Sequence, residues 1–581
     1  MHKKLLGILV LGTLLLAPSA EAGKLVTADI PLTSKYYNYI DKLEAMGFIT
    51  DMPGSLRPYN RLQVARWLAK VNPTGMQPYL KVYYDELCDA LSDEIAYVIA
   101  HEPLPQVELL TDASGKPTVL VLGKHHKQKL KQGKPHKLAK QMAKHQQSYH
   151  AQDHNWLVRE KLKQAQESEH FPTNFDLRST ELEFSQQKMD RTDYAYRRTN
   201  ASYQPLHGRN NGYRYGDGFN AVGRMHLSGS FGNDLAVGIT PRFSYDEDNK
   251  GKASLEEGYA RTHLGVWGIT VGKEALNWGT HLGSAGLSLS DNATPGTSFR
   301  LGLLEPWDTR DTVLHWLGKV DFQVFARQLE GNRCSKYGLW RNTLDTSSEY
   351  DKGTFWGVRL EVQPKDTFTL GFERLSQMKK FGWNYFLASN DGVTKDGTDY
   401  GNDQMGIDFR WKFPGLQIYG ALYGEDATYD IGTLFMSNKA KRLGLYFHQL
   451  AKDGSWDLKL EYTRNSMAWY THGAPFGNGW SYHDDILGDP MGNRARKYSA
   501  TINNYLPNGD VLNFNYCYTK WDCAHSISPV FREYSVGYSH KFSDHLHLDG
   551  SLGYGTIHHA AYELHRNEKT KYVALGLRWE Y

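Results

Sequence analysis

The chain has 581 residues, with 37 Tyr, 55 Gly and only 4 Cys, and 67 Lys and Arg against 64 Asp and Glu give a formal net charge of +3. A soluble α/β enzyme of this length carries more Leu, Ile and Val in continuous runs, and four cysteines are too few for a disulfide framework. Abundant Tyr and Gly with weak alternation suit a transmembrane β-barrel, which needs aromatic girdles at two interfaces and no long apolar segment.

Residues 1–22 read as a secretory signal: Lys3 and Lys4, an apolar run from Leu5 to Leu16, and a small-residue cleavage site at Ala20-Glu21-Ala22. The run is shorter than the roughly 20 residues that span a bilayer, so export with a mature start near Gly23 is expected. Residues 23–110 then form a helical module. Tyr36, Tyr39, Ile40, Leu43 and Met46 share a helical face that Gly47 stops, Pro53-Gly54 turns the chain, and Val64, Trp67 and Leu68 begin a second face. Tyr79 to Ala100 reads as a further helix.

This pattern resembles the S-layer-homology module, a helix–loop–helix unit that attaches proteins to cell-wall polymers. The matching residues are Asp29-Ile-Pro, Leu43 to Gly47-Phe-Ile, Gly54 to Pro58, and Asn60-Arg61. The family's Thr-Arg-Ala-Glu stretch is here Asn60-Arg61-Leu62-Gln63, which keeps the Arg and loses the Glu. The resemblance implies peptidoglycan or another wall polymer as a partner, with Arg61 as the wall-binding residue; the other reading is a helical pair packed on the periplasmic mouth of a barrel.

Residues 111–176 are a basic linker or helix. Lys124 to His150 hold eight Lys, five His and no acid, leaving 59 basic against 64 acidic residues elsewhere. The histidines close no metal site, and no metal or cofactor is expected. A solvated spacer is the simpler reading; contact with anionic polymer or outer-membrane lipid is the alternative. Nucleic acid is not expected as a partner of an exported chain.

From residue 177 to 581 the period is two. Val573, Leu575, Leu577, Trp579 and Tyr581 alternate with Ala574, Gly576, Arg578 and Glu580. Similar rows are Tyr534/Val536/Tyr538, Trp456/Leu458/Leu460/Tyr462, Met405/Ile407/Phe409/Trp411 and Trp356/Val358/Leu360/Val362. One face of each suits lipid and the other is polar, with charges in most rows, an arrangement that a buried soluble sheet does not tolerate. Segments between turn signals at 233–234, 364–366, 452–454, 507–509 and 543–544 give a mainly β chain: a transmembrane antiparallel β-barrel of about 18 strands with a small helical periplasmic module. The terminal Tyr581 behind a lipid-facing row is the feature that outer-membrane barrel-assembly machinery recognises. Cys517 and Cys523 are close enough to bridge across a turn.

The longer connections, 274–298, 331–353, 377–402, 424–438 and 467–495, are expected to face outside or fold into the lumen. Within them, Asn277-Trp278-Gly279 followed by Leu287-Ser-Leu-Ser-Asp291-Asn292, and Tyr470-x-His472-Gly473 followed by Ile486-Leu-Gly-Asp489-Pro-Met491-Gly, resemble two signatures of the Wzi-type capsule-assembly family. Asp489 and Met491 replace that family's His and Leu. The resemblance covers about 180–581 and implies a lectin-like role, holding exported capsular or surface polysaccharide at the cell surface.

Sugar rings present an apolar face and a hydroxyl rim, so flat aromatics beside Asp, Asn, Arg and His suit them. Trp278, His281, Asp291, Asn292, Trp383, Tyr385, Trp469, Tyr470, His472, Trp480, Tyr482 and His483 are the candidates. A wall-anchored general diffusion porin is the alternative function, predicting an open lumen. Catalysis is not expected, because no nucleophile–base arrangement follows from the spacing.

Overall fold

The computed structural model describes residues 25–50, 52–102, 104, 107–111, 117–122, 126–129, 148–190, 210–248, 250–280, 282, 285–310, 312–331, 352–378, 401–425, 438–467, 469–470, 480–483, 485–523 and 525–581, with side chains omitted over 107–129. The expected signal at residues 1–22, most of the basic stretch and most of connections 331–353, 377–402 and 424–438 lie outside them.

Eighteen antiparallel strands close a barrel. In chain order they are β1 (Asn174–Met189), β2 (Gly218–Phe231), β3 (Leu235–Asp246), β4 (Lys250–Leu264), β5 (Trp267–Glu274), β6 (Gly296–Leu303), β7 (Lys319–Gln328), β8 (Thr354–Lys365) and β9 (Phe368–Met378). The second half comprises β10 (Gly401–Phe413), β11 (Leu416–Glu425), β12 (Lys439–Phe447), β13 (Trp456–Asn465), β14 (Ala495–Tyr505), β15 (Val511–Trp521), β16 (Val530–Lys541), β17 (Leu546–His558) and β18 (Asn567–Glu580). The last strand pairs with the first, Leu575 opposite Phe184 and Trp579 opposite Thr180. Closure leaves no sheet edge, which is what lets strands cross a bilayer with their backbone groups satisfied. No described helix is long and apolar enough to cross a membrane.

The period-two rows sort by face as their chemistry demands. On β13, Trp456 and Leu460 point outward and are exposed, while Asp457 between them is fully buried in the lumen. On β18, Val573, Leu575 and Trp579 are exposed outward. Connections alternate in length. Tight turns such as 232–234, 265–266, 366–367, 414–415 and 542–545 gather at one end, which also holds the C-terminus, and the long connections at the other.

The N-terminal module sits at the tight-turn end. It comprises α1 (Tyr36–Ala45), α2 (Arg61–Ala69), α3 (Pro78–Ala90) and α4 (Ser92–His101), joined later by α5 (Ala151–His154) and α6 (Trp156–Glu167). Gly47 ends α1 with φ of 83°, a left-handed value that glycine adopts without strain. Asn60 caps α2 by accepting from the Gln63 N–H at 2.7 Å. The single helix expected over Tyr79–Ala100 is two, because Leu91 leaves helical geometry (φ −118°, ψ 20°), which lets α4 swing onto α6. Within 111–176, the backbone of Pro117–Leu122 pairs on either side with Val107–Thr111 and His126–Lys129, in keeping with the β-branched residues of Thr118-Val-Leu-Val.

The module's core of Ile40, Leu43, Leu68, Leu80, Tyr84, Leu87 and Ile95 is apolar, with Tyr505 and Val511 of the barrel packed against it, and buried ion pairs also tie it to the barrel. Asp29 accepts from Arg261 at 2.5 Å and Arg300 at 2.8 Å. Lys42 reaches Asp457 at 3.0 Å, and Glu44 meets Lys412 and Arg410. Buried charges are tolerable only when paired in this way. Burial pushes the Glu44 carboxyl up, but Lys412 and Arg410 more than offset it and hold it at about 2.

Arg61 is buried within the module. It donates to Glu94 at 2.5 Å and to the Ala90 carbonyl, so its guanidinium braces α2 against α3 and α4. Cys517 and Cys523 carry free thiols, as does Cys88. Cys517 sits mid-strand, opposite Glu533 on β16, and Cys523 lies beyond the end of β15.

Candidate functional site

The lumen is filled from both ends, and the fillings meet. From the module, residues 52–58 enter the barrel: the Pro53 carbonyl accepts from Arg410 at 2.8 Å, and the Ser55 hydroxyl accepts from Arg359 at 2.8 Å. From the opposite end, connection 275–295 folds inward. Leu56 and Arg57 pair antiparallel with Trp278 and Asn277, and the Gly279 N–H donates to the Ser55 carbonyl at 3.0 Å.

A charged knot holds this junction. Arg359, fully buried, donates to Asp408 at 2.7 Å and Glu373 at 3.0 Å. Asp408 also accepts from the Tyr423 hydroxyl at 2.6 Å and the Thr280 N–H at 3.1 Å. The Arg359 fork thus links the barrel wall to the module, while Asp408 links it to the inward loop. Such charge-assisted bonds are the stronger kind.

Above the knot, the two sequence signatures pack on each other. The Ser290 N–H donates to the Leu487 carbonyl at 2.6 Å, and the Asn292 amide to the Ile486 carbonyl at 2.8 Å. Trp480 Nε1 donates to the Ser288 carbonyl at 3.0 Å, and the Tyr470 hydroxyl to the Leu287 carbonyl. Gly286 and Gly488 permit this approach: a Cβ on Gly286 would collide with the Leu289 and Trp278 carbonyls, and one on Gly488 with the Leu287 carbonyl and Tyr470 hydroxyl.

An aromatic chain packs edge to face beside the signatures, Trp278 on Phe325 at 5.2 Å, Phe325 on Phe355 at 5.2 Å and Phe355 on Trp480 at 5.5 Å. Such geometry favours aromatic pairs beyond their buried area.

Of the candidate sugar-contacting residues, Trp278, Trp469, Tyr470 and Trp480 are essentially fully buried, and Asp291 and Asn292 nearly so. They knit the plug together. Tyr482 is half-buried and His483 exposed. The Arg327 guanidinium lies over Phe325, Phe355 and Tyr482, at 5.5 Å from the last, and the His483 N–H donates to Glu330 at 3.0 Å. Tyr470 and His483 hold left-handed backbone, with φ of 63° and 47°, a conformation costly for side-chain-bearing residues that collects at functional loops. His281, Trp383, Tyr385 and His472 lie outside the described residues.

Asp489, where the family resemblance has His, is fully buried between Arg442 at 2.8 Å and Lys497 at 2.7 Å. Burial pushes its carboxyl up, but Lys497 and Arg442 prevail and hold it below the usual range. Asp489 therefore anchors the second signature to β12 and β14. Arg359 and Asp408 lie on the polar faces of the alternating β8 and β10 rows, and it is pairing across non-adjacent strands that gives them a role. Among the described residues no group of three or more His, Cys, Asp or Glu is arranged to hold a metal.

A closed barrel with polar interior, an apolar outer belt and a lumen plugged by its own N-terminal module and the inward-folded connection after β5 defines the class: a transmembrane β-barrel of the outer-membrane type. The model of the family Capsule assembly protein Wzi matches residues 187–571, and the chain belongs to that family.

Among solved structures the chain is similar to Wzi, an outer membrane protein involved in group 1 capsule assembly in Escherichia coli and a carbohydrate-binding β-barrel. Identity is 14%, TM-score 0.59, and the match covers 96% of this chain and 100% of that one. At that identity the likeness establishes the fold. Pseudomonas aeruginosa OprD and OccK5 (OpdH) are more remote, with TM-scores of 0.40 and 0.41, 8% and 9% identity, 70% of this chain covered and 94% and 98% of theirs. No curated protein matched by sequence.

Proposed function

We propose that this barrel holds exported capsular or surface polysaccharide at the outer face of the outer membrane, with its N-terminal module in the periplasm. The observation that carries the reading is the junction of Leu56–Arg57 with Asn277–Trp278 inside the lumen. A diffusion porin needs the space those segments occupy, whereas a binding protein gains a rigid platform from them. The long connections then present the sugar-contacting surface. Tyr482 and His483 keep accessible side chains, a flat ring and an imidazole suited to a sugar, and the buried Arg327 guanidinium stacked on Tyr482 lends the spot a positive field that favours an acidic one. Trp278, Trp469, Tyr470, Trp480, Asp291 and Asn292 shape the platform from beneath, and His281, Trp383, Tyr385 and His472 belong to the same loop set.

The periplasmic module acts first as a stopper. Its Asp29, Glu44 and Arg61, which include two residues of the wall-binding pattern, are engaged within the protein. Wall contact is tested separately by retention of the intact protein on purified sacculi.

Binding is tested by titrating purified capsular polymer onto the protein in nanodiscs. Saturable binding that Tyr482→Ala and His483→Ala weaken supports the reading. Absence of binding to any polymer the producing cell exports rejects it.

A further inference from the structure

The outward face of the barrel is not apolar all round at its long-loop end. On β12 to β15, Lys441, Arg464, Arg496 and Lys520 stand directly opposite one another: Lys441 faces Arg464, Arg464 faces Arg496, and Arg496 faces Lys520. They share the outward parity of Leu443, Tyr462, Tyr498 and Phe514 on the same strands, which fixes them to the membrane side. The row continues around the wall. Arg532 on β16 lies opposite Tyr518, and Lys569 and Lys571 on β18 lie opposite Thr556 and Tyr554. Lys571 in turn faces Lys188 on β1.

Like charges directly opposed across a sheet destabilise it, so this row costs stability unless an anion lies over it. The protein supplies little. Among the described residues, no ion pair involves Lys441, Arg464, Arg496, Lys520, Arg532, Lys569 or Lys571; Lys188 alone of the row has one, reaching Asp217 at 3.2 Å. Arg496 Nε is buried without a partner. Elsewhere on the outer wall the rule is different: Arg374 on β9 is paired with Asp403 on β10 at 3.1 Å, and Lys273 on β5 donates to the Leu255 carbonyl at 2.6 Å.

Depth identifies the occupant. Immediately inboard of the cations runs a contiguous tyrosine row, Tyr462 on Tyr498 at 5.0 Å, Tyr498 on Tyr518 at 6.0 Å and Tyr516 on Tyr534 at 5.1 Å. Such a girdle marks the membrane–water interface. Arg532 lies over Tyr518 at 5.8 Å and Lys571 over Tyr554 at 6.0 Å, their stems along the rings and their charges one step toward the headgroups.

We propose that β12–β18 and β1 form a docking wall for a phosphorylated glycolipid of the outer leaflet. Its acyl chains lie on the apolar groove of Ile502, Phe514, Val536 and Leu552, and its phosphates bridge the opposed cations. The surface is distinct from the polysaccharide platform and does not depend on it. It seats the barrel in the leaflet on one side, so that a polymer held at the loops lies beside anchored lipid.

The test is the thermal shift and binding of the full chain in detergent micelles with added bisphosphorylated lipid A. Parallel arms use enzymatically dephosphorylated lipid A, inorganic phosphate and isolated anionic capsular polymer. The quadruple variant Lys441→Gln, Arg464→Gln, Arg496→Gln, Lys520→Gln is compared with one that exchanges Lys and Arg at the same positions, both checked for folding by heat-modifiable gel mobility.

The proposal expects stabilisation by phosphorylated lipid alone. A loss of about fivefold per cation makes the quadruple Gln variant bind roughly several-hundred-fold more weakly, while the charge-retaining variant stays near native. Equal stabilisation by dephosphorylated lipid or free phosphate, an unchanged Gln variant, or stabilisation by capsular polymer lost in the Gln variant would each overturn it. If the Gln variant does not fold, the same lipid arms on the native chain decide.

Discussion

Arg359 joins three parts of the lumen. It is fully buried and bridges Asp408, Glu373 and Ser55, tying the barrel wall to the module. Arg359→Ala leaves two buried carboxylates facing each other, and breaking a buried pair from one side costs about 3–5 kcal/mol. The expected result is an unfolding midpoint in urea well below native, with Arg359→Lys intermediate because it cannot fork.

Glu44 makes a pH-dependent counterpart. Its folded carboxyl is held at about 2, below its ordinary 4.5. Its contribution is therefore complete above the ordinary value and lost as pH falls from there through about 2. Proteolysis of the module should accelerate over that window, and Glu44→Gln should flatten the step. Much of this was legible in the residues: the polar faces of β8, β10 and β13 announced a charged lumen. What the sequence could not show was the pairing, since Arg359 and Asp408 lie on strands separated by a third, and Ser55 comes from another domain.

At the scale of elements, the plug depends on two loops fitting at carbonyl distance. Gly488→Ala places a methyl group against the Leu287 carbonyl and Tyr470 hydroxyl, and overpacking of that kind costs about 1–3 kcal/mol. Trp278→Ala, which empties one end of the aromatic chain, costs about 3–5 kcal/mol. Either should lower the melting temperature, and Trp278→Ala should also raise single-channel conductance as the junction with Leu56 loosens.

The strands and tight turns were readable because alternation and turn residues are local signals. The loop set was readable as a set, from its two signatures. The burial of Trp278, Trp469 and Trp480 was not, because an aromatic in a polar loop has the same sequence appearance whether it stacks on a sugar or on another loop. The helical module was read as such, and its docking through Asp29 and residues 52–58 came only with the barrel interior in view.

For the whole molecule, a barrel that could have been a channel is instead filled by its own chain. The module enters from one end, connection 275–295 from the other, and ionic contacts lock both to the wall. Purified protein in planar bilayers is accordingly expected to show little steady conductance, whereas a general diffusion porin shows large ohmic steps. The filled lumen leaves the long-loop face as the surface on which the proposed polysaccharide contacts are to be tested, in a chain of a family named for capsule assembly.

The central claim is tested most directly in the cell that makes the protein, by measuring capsular polymer on cells and in the medium after deletion of the coding sequence. The account predicts undiminished total polymer with most of it released into the medium, restored to the surface by the native chain. Unchanged cell-attached capsule in the deletion strain would contradict it.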